Sequence, residues 1–274
     1  MPVRFSKGEA LGNDYIVVER PSLDRPWTEE RTVALCDRHR GVGSDGVLLA
    51  ECDARPVWLR IYNPDGSEAE KSGNGLRILG AHLYRTGRVA LGEAFEVELA
   101  TDTVVMTVEA ELERAMLDIS VDMGPTRFLA DAVGVELPVR EGTVTAHPVS
   151  LGNPHCVVLE EALERGRFES LGPQLERHAH FPRGTNVQFA RPLGGSVMEA
   201  WIHERGVGET LASGSSACAV AAVARRLGLV DAADVEVRMR GGRVAVHVGE
   251  DYRLRLRGPA RIVCNGECPD GVLP

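Results

Sequence analysis

Lysine is nearly absent from this 274-residue chain: Lys7 and Lys71 are the only two, and the basic side is almost entirely arginine. Acidic residues still outnumber basic ones, giving a net charge of −9 and a pI of about 5.5. That balance excludes a sequence-independent affinity for nucleic acid or anionic lipid. No run of about 18 apolar residues occurs, which excludes a helical membrane span. No charged start followed by an apolar run marks a secretory signal. The six cysteines are scattered, and the pair Cys264 and Cys268 has no second pair to match it. A structural zinc site needs four ligands, so these two read as small core residues and no metal is expected. Reduced thiols without a secretory signal point to the cytoplasm. What is plentiful is apolar surface. Hydrophobic residues make up 43%, ample for a core without disulfides, and the length suits one large domain or two ordinary ones.

The chain repeats itself once. Leu11-Gly12-Asn13 recurs as Leu151-Gly152-Asn153, Gly43-Ser44-Asp45 resembles Gly184-Thr185-Asn186, and Ser72-Gly73 recurs as Ser213-Gly214. The offsets are 140 or 141 residues throughout, and Ala81, Arg85, Gly87 and Val89 keep the register with Ala222, Arg226, Gly228 and Val230. Four stretches in one order and one register indicate two similar halves. The expected lobes are residues 1–120 and 121–262, with 263–274 completing the first.

Each half reads as many short strands and few helices. Residues 15–19, 57–62, 95–99 and 104–108 are rich in β-branched or aromatic residues, as are 144–149, 197–202, 235–239 and 244–248. Arg253-Leu254-Arg255-Leu256-Arg257 alternates strictly, leucines toward a core and arginines toward water. Residues 28–39 predict an amphipathic helix capped by Thr28. Residues 163–178 predict a weaker one, interrupted by Gly166, Gly172 and Pro173. Residues 74–86 and 215–227 predict two further helices that are apolar around most of their circumference, hence buried. The expected fold class is α+β: two pseudo-symmetric lobes, each a mostly antiparallel sheet wrapped around a central helix.

Both buried helices open on small residues, Ser72-Gly73-Asn74-Gly75 and Ser213-Gly214-Ser215-Ser216. Helix starts leave N–H groups without intrahelical partners and favour negative charge, and glycine lets a ligand approach the backbone. One such opening reads first as a serine-capped turn. Two in the duplicated register read as an anion site, with both helix starts expected to converge on one carboxylate. Asn13, Asn63, Asn74, Asn153, His155, Asn186, Glu204 and Arg205 are polar residues beside glycines, prolines or strand ends, where binding groups are usually presented.

The stretch from Asn63-Pro64-Asp65-Gly66 through Lys71-Ser72-Gly73-Asn74-Gly75-Leu76-Arg77 resembles the signature of the diaminopimelate epimerase family, with serine in place of its cysteine. Glu204-Arg205-Gly206-Val207-Gly208-Glu209-Thr210-Leu211-Ala212-Ser213-Gly214-Ser215 resembles that family's second catalytic loop, again with serine for cysteine. Leu11-Gly12-Asn13-Asp14, the run from Arg38 to Gly46, Gly152-Asn153-Pro154-His155 and Gly184-Thr185-Asn186 match in order, so the resemblance runs from about residue 4 to residue 264. It implies inversion of an amino-acid α-carbon without pyridoxal phosphate or any other cofactor, interconverting LL- and meso-diaminopimelate in lysine and cell-wall precursor synthesis. It also implies a homodimer with no macromolecular partner beyond itself. By the same resemblance, Ser72 and Ser213 occupy the acid–base positions, with His155 and Glu204 polarising them. Backbone at Gly73, Asn74, Gly214 and Ser215 would cradle the α-carboxylate. Asn63, Asn153, Asn186 and Arg205 would hold the distal carboxylate, with Asn13 lining the same pocket.

The serines change the chemistry. A thiol ionises near pH 8.5 and lower still at a helix start, whereas a serine hydroxyl must borrow a neighbouring base. Three readings follow: serines engineered to trap substrate; a natural variant, either a slower epimerase or an enzyme of related chemistry such as a dehydratase or another isomerase; or a binding paralogue without turnover. Lys71 and Ser216 also depart from the commonest family pattern, which favours natural divergence.

Overall fold

Alternation and β-branching set the strands, and the computed structural model describes them over residues 2–130, 134–269 and 271–274. The chain divides into two units, Met1–Val121 with Gly258–Pro274, and Asp122–Arg257.

The first unit contains β1 (Val3–Ala10), β2 (Asn13–Glu19), α1 (Glu29–Cys36), β3 (Val47–Glu51), β4 (Val57–Tyr62), β5 (Glu68–Ala69), α2 (Gly73–Arg85), β6 (Ala94–Glu98) and β7 (Thr103–Glu111). β8 (Leu117–Pro125) runs through the division. Most pairings are antiparallel, but β2 lies parallel to β3 and β4 parallel to β6. The far edge of β1 pairs with residues 261–268 from the end of the chain. Thr28 caps α1 as expected, its hydroxyl accepting from the Arg31 amide. The helix stops at Cys36, short of the expected His39, because the Asp37 carboxylate accepts from the His39 and Arg40 amides and turns the chain. α2 is buried from Gly73 through Leu83 and packs on β1, β2 and β7, so strands surround it as its circumferential apolarity requires.

The second unit repeats the plan with β9 (Arg127–Phe128), β10 (Val135–Val139), β11 (Gly142–Ser150), β12 (Pro154–Leu159), α3 (Arg165–Glu176), β13 (Asn186–Gly194), β14 (Val197–Glu204), β15 (Gly208–Thr210), α4 (Gly214–Arg226), β16 (Asp234–Met239), β17 (Gly242–Val248) and the start of β18 (Arg253–Cys268). Here β12 is parallel to β13 and β14 to β16, the counterparts of the parallel pairs in the first unit. α4 is buried from Gly214 through Ala224 against β11, β12, β13, β14, β16 and β17. α3 is unbroken despite Pro173. Its inner residues Phe168, Leu171 and Leu175 join a core with Val144, Val158, Val187 and Phe189, and that burial outweighs the lost backbone hydrogen bond. In β18, Leu254 and Leu256 are buried while Arg253, Arg255 and Arg257 are exposed.

Among the described residues, no helix is long and apolar enough to cross a membrane. Cys264 is exposed and Cys268 buried. They stand four residues apart on one strand, about 13 Å at the usual rise, too far to share one ion.

Candidate active site

The N-terminus of α2 is built from inside the helix outward. Arg77 is fully buried one turn along; its Nε donates to the Gly73 carbonyl at 3.2 Å and its Nη2 to Asn74 Oδ1. Asn74 in turn donates to Asn13 Oδ1 at 3.1 Å, and Asn13 to Asp45 Oδ2 at 2.8 Å. This chain of amides fixes two of the expected binding residues against each other and places a guanidinium behind the helix start. Cationic charge there adds to the positive field at the helix start. Ser72 is the N-cap; its Oγ accepts from the Gly75 amide at 3.1 Å. At position 75 a Cβ would lie 3.0 Å from Leu48 Cδ2 and 3.3 Å from Ser72 Oγ, so a larger residue would press on both the core and the cap. Asn63 sits elsewhere in this unit, in a turn where its amide donates to Ser67 Oγ at 3.0 Å.

The surrounding charges are paired. Arg38 donates to both Asp14 and Asp45, at 2.7 and 2.8 Å. Burial works to raise the Asp14 carboxyl, but its bonds to Arg38 and Lys7 outweigh that and hold it below the usual range. Both lysine ammoniums are in ion pairs, Lys7 with Asp14 at 2.9 Å and Lys71 with Asp102 at 2.8 Å.

The N-terminus of α4 differs. Ser213 is the N-cap, yet its side chain makes no capping bond, and it is buried with Ser215 and Ser216. A second polar chain runs from this helix start. Gln188 donates to Ser216 Oγ at 2.9 Å and to His155 Nδ1 at 3.0 Å. His155 Nε2–H then donates to Asn153 Oδ1 at 3.0 Å. The ring is fully buried, and burial, with Arg205 adding repulsion, pushes its pKa down to about 3. His155 is therefore neutral, with both nitrogens engaged.

Asn186 and Arg205 meet at the adjoining strand ends. Asn186 Oδ1 accepts from the Arg205 amide at 3.0 Å, and its Nδ2 donates to the Pro154 carbonyl at 3.2 Å. Asn186 thus ties the start of β12 to the turn at the end of β14. Glu204, half-buried, is the last residue of β14 and pairs with Gly208 of β15. Arg205 is exposed, its stem lying over Gly184, where a Cβ would be 3.2 Å from Arg205 Cδ. Within this unit Asn153, His155, Asn186 and Arg205 are joined directly or through Pro154, and His155 is joined to the α4 start through Gln188 and Ser216.

Gln188, Ser216, Arg77 and Asp45 were not among the expected site residues. Gln188 had a signal: it is the one amide inside the apolar run Val187 to Ala190, and a fully buried amide needs partners. Arg77 had a comparable one, as an arginine inside the buried, apolar stretch of its helix.

Among the described residues, Glu19, Cys52 and His82 carry ligand-type atoms within 4.8 Å of one another. The Arg88 guanidinium is already on Glu19 at 2.8 Å, and burial pushes the Cys52 thiol up to about 12. In this structure Glu19 bridges His82 and Arg88, at 3.0 and 2.8 Å.

A family model described as "Diaminopimelate epimerase" matches residues 5–129 and 148–263. The chain is 37% identical to "Diaminopimelate epimerase 2" of Nostoc sp. over 277 residues, covering 97% of this chain and 95% of the relative. It is 37% identical to the diaminopimelate epimerase of Heliobacterium modesticaldum over 282 residues, covering 97% and 100%. Among solved structures, a hydroxyproline epimerase from Agrobacterium vitis with bound trans-4-hydroxy-L-proline superposes with a TM-score of 0.75 at 14% identity, covering 97% of this chain and 92% of that one. A PhzF-family phenazine biosynthesis protein from Bacillus anthracis gives 0.72 at 17%, covering 98% and 99%. These two likenesses show a shared fold.

Proposed function

Because the chain belongs to the diaminopimelate epimerase family, and so to the isomerases, we propose that it inverts an amino-acid α-carbon without a cofactor, interconverting LL- and meso-diaminopimelate. The observation that carries this reading is the matched pair of helix starts. α2 and α4 are each thirteen residues long, each begins at a buried glycine behind a serine N-cap, and each is tied to a chain of amides. The positive dipole end at such starts suits a carboxylate and the negative charge that grows as the α-proton leaves.

In this reading Ser72 and Ser213 are the groups that remove and return the α-proton. A serine hydroxyl must first pass its own proton to a neighbouring base. His155 is a poor candidate, since Gln188 already donates to its only lone-pair nitrogen. It holds Asn153 and the α4 start in place instead. Turnover in this serine form is therefore expected to be slow, with Glu204, Arg205 and Asn153 reading the distal end of the substrate.

The serine pair favours a second reading, a protein that binds the same amino acid without inverting it. Proton NMR of meso- and LL-diaminopimelate with the protein in heavy water separates the two. Loss of the α-proton signal together with appearance of the other isomer supports the epimerase. Thermal stabilisation by the ligand without exchange supports the binder. Neither effect, with either isomer, would sink both.

A further inference from the structure

Glu176 closes α3, is nearly fully buried, and has no part in the reading above. A buried carboxylate is retained only where its lone pairs are filled. Here Oε1 accepts from the Gly206 amide at 2.9 Å, and Oε2 accepts from His203 Nε2–H at 3.0 Å. The backbone carbonyl of the same residue accepts from the Thr185 amide at 3.0 Å. One residue therefore grips the backbone of two stretches, beside Asn186 and beside Arg205.

The stretch beside Arg205 needs such a grip. Gly206 and Gly208 have φ of +77° and +89°, and Val207 is exposed, so apolar packing does not define the turn. Besides the hairpin's own closure, in which the Val207 amide donates to the Glu204 carbonyl at 3.2 Å, two successive amides tie the turn to buried acceptors on other elements: Arg205 on Asn186 Oδ1 and Gly206 on Glu176 Oε1. Burial works to raise the Glu176 carboxyl, but the Gly206 amide and His203 outweigh it and keep it below the usual range. A charged acceptor binds an N–H more strongly than a neutral one.

We propose that Glu176 is a positioning residue: its carboxylate latches the Glu204–Arg205–Gly206 turn from beneath, so that Glu204 and Arg205 are presented in one geometry to the distal end of the substrate. The latch stands on the hydrogen bonds alone. The identity of what the turn meets rests on the epimerase reading.

The test uses the full chain with Glu176→Ala and Glu176→Gln. Glu176→Gln keeps a carbonyl for the Gly206 amide, and the His203 tautomer with its proton on Nδ1 can accept from the new amide group. Hydrogen–deuterium exchange of the Arg205 and Gly206 amides should quicken at least about tenfold in Glu176→Ala, stay near wild type in Glu176→Gln, and leave α4 unchanged in both. Unchanged exchange in Glu176→Ala, or equal loosening in Glu176→Gln, overturns the latch. If Glu176→Ala does not fold, Glu176→Asp, whose carboxylate is drawn back by one methylene, is compared with Glu176→Gln in the same way. Calorimetric titration with meso-diaminopimelate tests the second half: affinity should fall about tenfold where the turn is loosened and hold in Glu176→Gln. A loosened turn with unchanged affinity overturns the presentation of Glu204 and Arg205 to substrate. No binding by the wild-type protein counts against the epimerase reading, and the latch then stands or falls on amide exchange alone.

Discussion

The Gln188 side chain donates to His155 Nδ1 at 3.0 Å, so the one buried histidine beside the α4 start has its proton fixed on Nε2. Burial and the nearby Arg205 push its pKa down to about 3. Between there and the ordinary value near 6.5 the unfolded chain binds a proton that the folded chain refuses. Stability from this group is complete above pH 6.5 and falls with acid, by up to about 1.4 kcal/mol per pH unit. Urea denaturation of wild type and His155→Gln from pH 7 to pH 4 should show the gap between them narrowing as pH falls. A gap that widens or stays constant would mean that His155 is charged in the folded protein.

Restoring thiols should restore base strength. Ser72→Cys with Ser213→Cys is expected to raise α-hydrogen exchange of diaminopimelate at least about a hundredfold, the lower range for a well-matched general base. Exchange unchanged by the double substitution would remove these two positions from the chemistry.

The two serines should differ in what they contribute to folding. Ser72 Oγ accepts from the Gly75 amide, whereas Ser213 makes no such bond. Ser72→Ala should cost about 1 kcal/mol and Ser213→Ala clearly less. Equal costs in urea titrations would contradict the asymmetry.

Gly172→Ala probes the ring on the other side of the Glu176 carboxylate. A Cβ there would lie 3.0 Å from His203 Nδ1 and 3.1 Å from its Cγ. The ring cannot retreat without lengthening its bond to Glu176. The helix-propensity gain of about 1 kcal/mol should be exceeded by the strain, so the variant should melt below wild type. A higher melting temperature would mean that the ring yields freely.

Much of the fold was legible because its signals are local. The strand at Val57–Tyr62 follows from β-branched and aromatic residues alone, and the alternation at Arg253 to Arg257 names which side chains are buried. The two central helices begin one residue earlier than expected, at the glycines, because the serines before them serve as N-caps. α3 looked broken because Pro173 and two glycines weigh against a helix locally, while the packing of Phe168, Leu171 and Leu175 that sustains it is a long-range fact. The site divides in the same way. Asn13, Asn74, Asn153 and Asn186 stand beside glycines or strand ends and could be picked out. Gln188 and Glu176 lie inside a strand and a helix. Their partners depend on the parallel alignment of His155 with Asn186 and on where α3 ends against β14, which periodicity does not encode.

β1 takes one of its two neighbours from residues 261–268. Leu273 is buried in the same core as Val3, and the Pro274 carbonyl accepts from Arg31 Nε at 2.8 Å. During synthesis, then, β1 leaves the ribosome long before residues 261–268 and waits with an open edge until they arrive. The first unit cannot finish folding before the second has been made, and removing residues 261–268 would expose the edge of β1 to other chains.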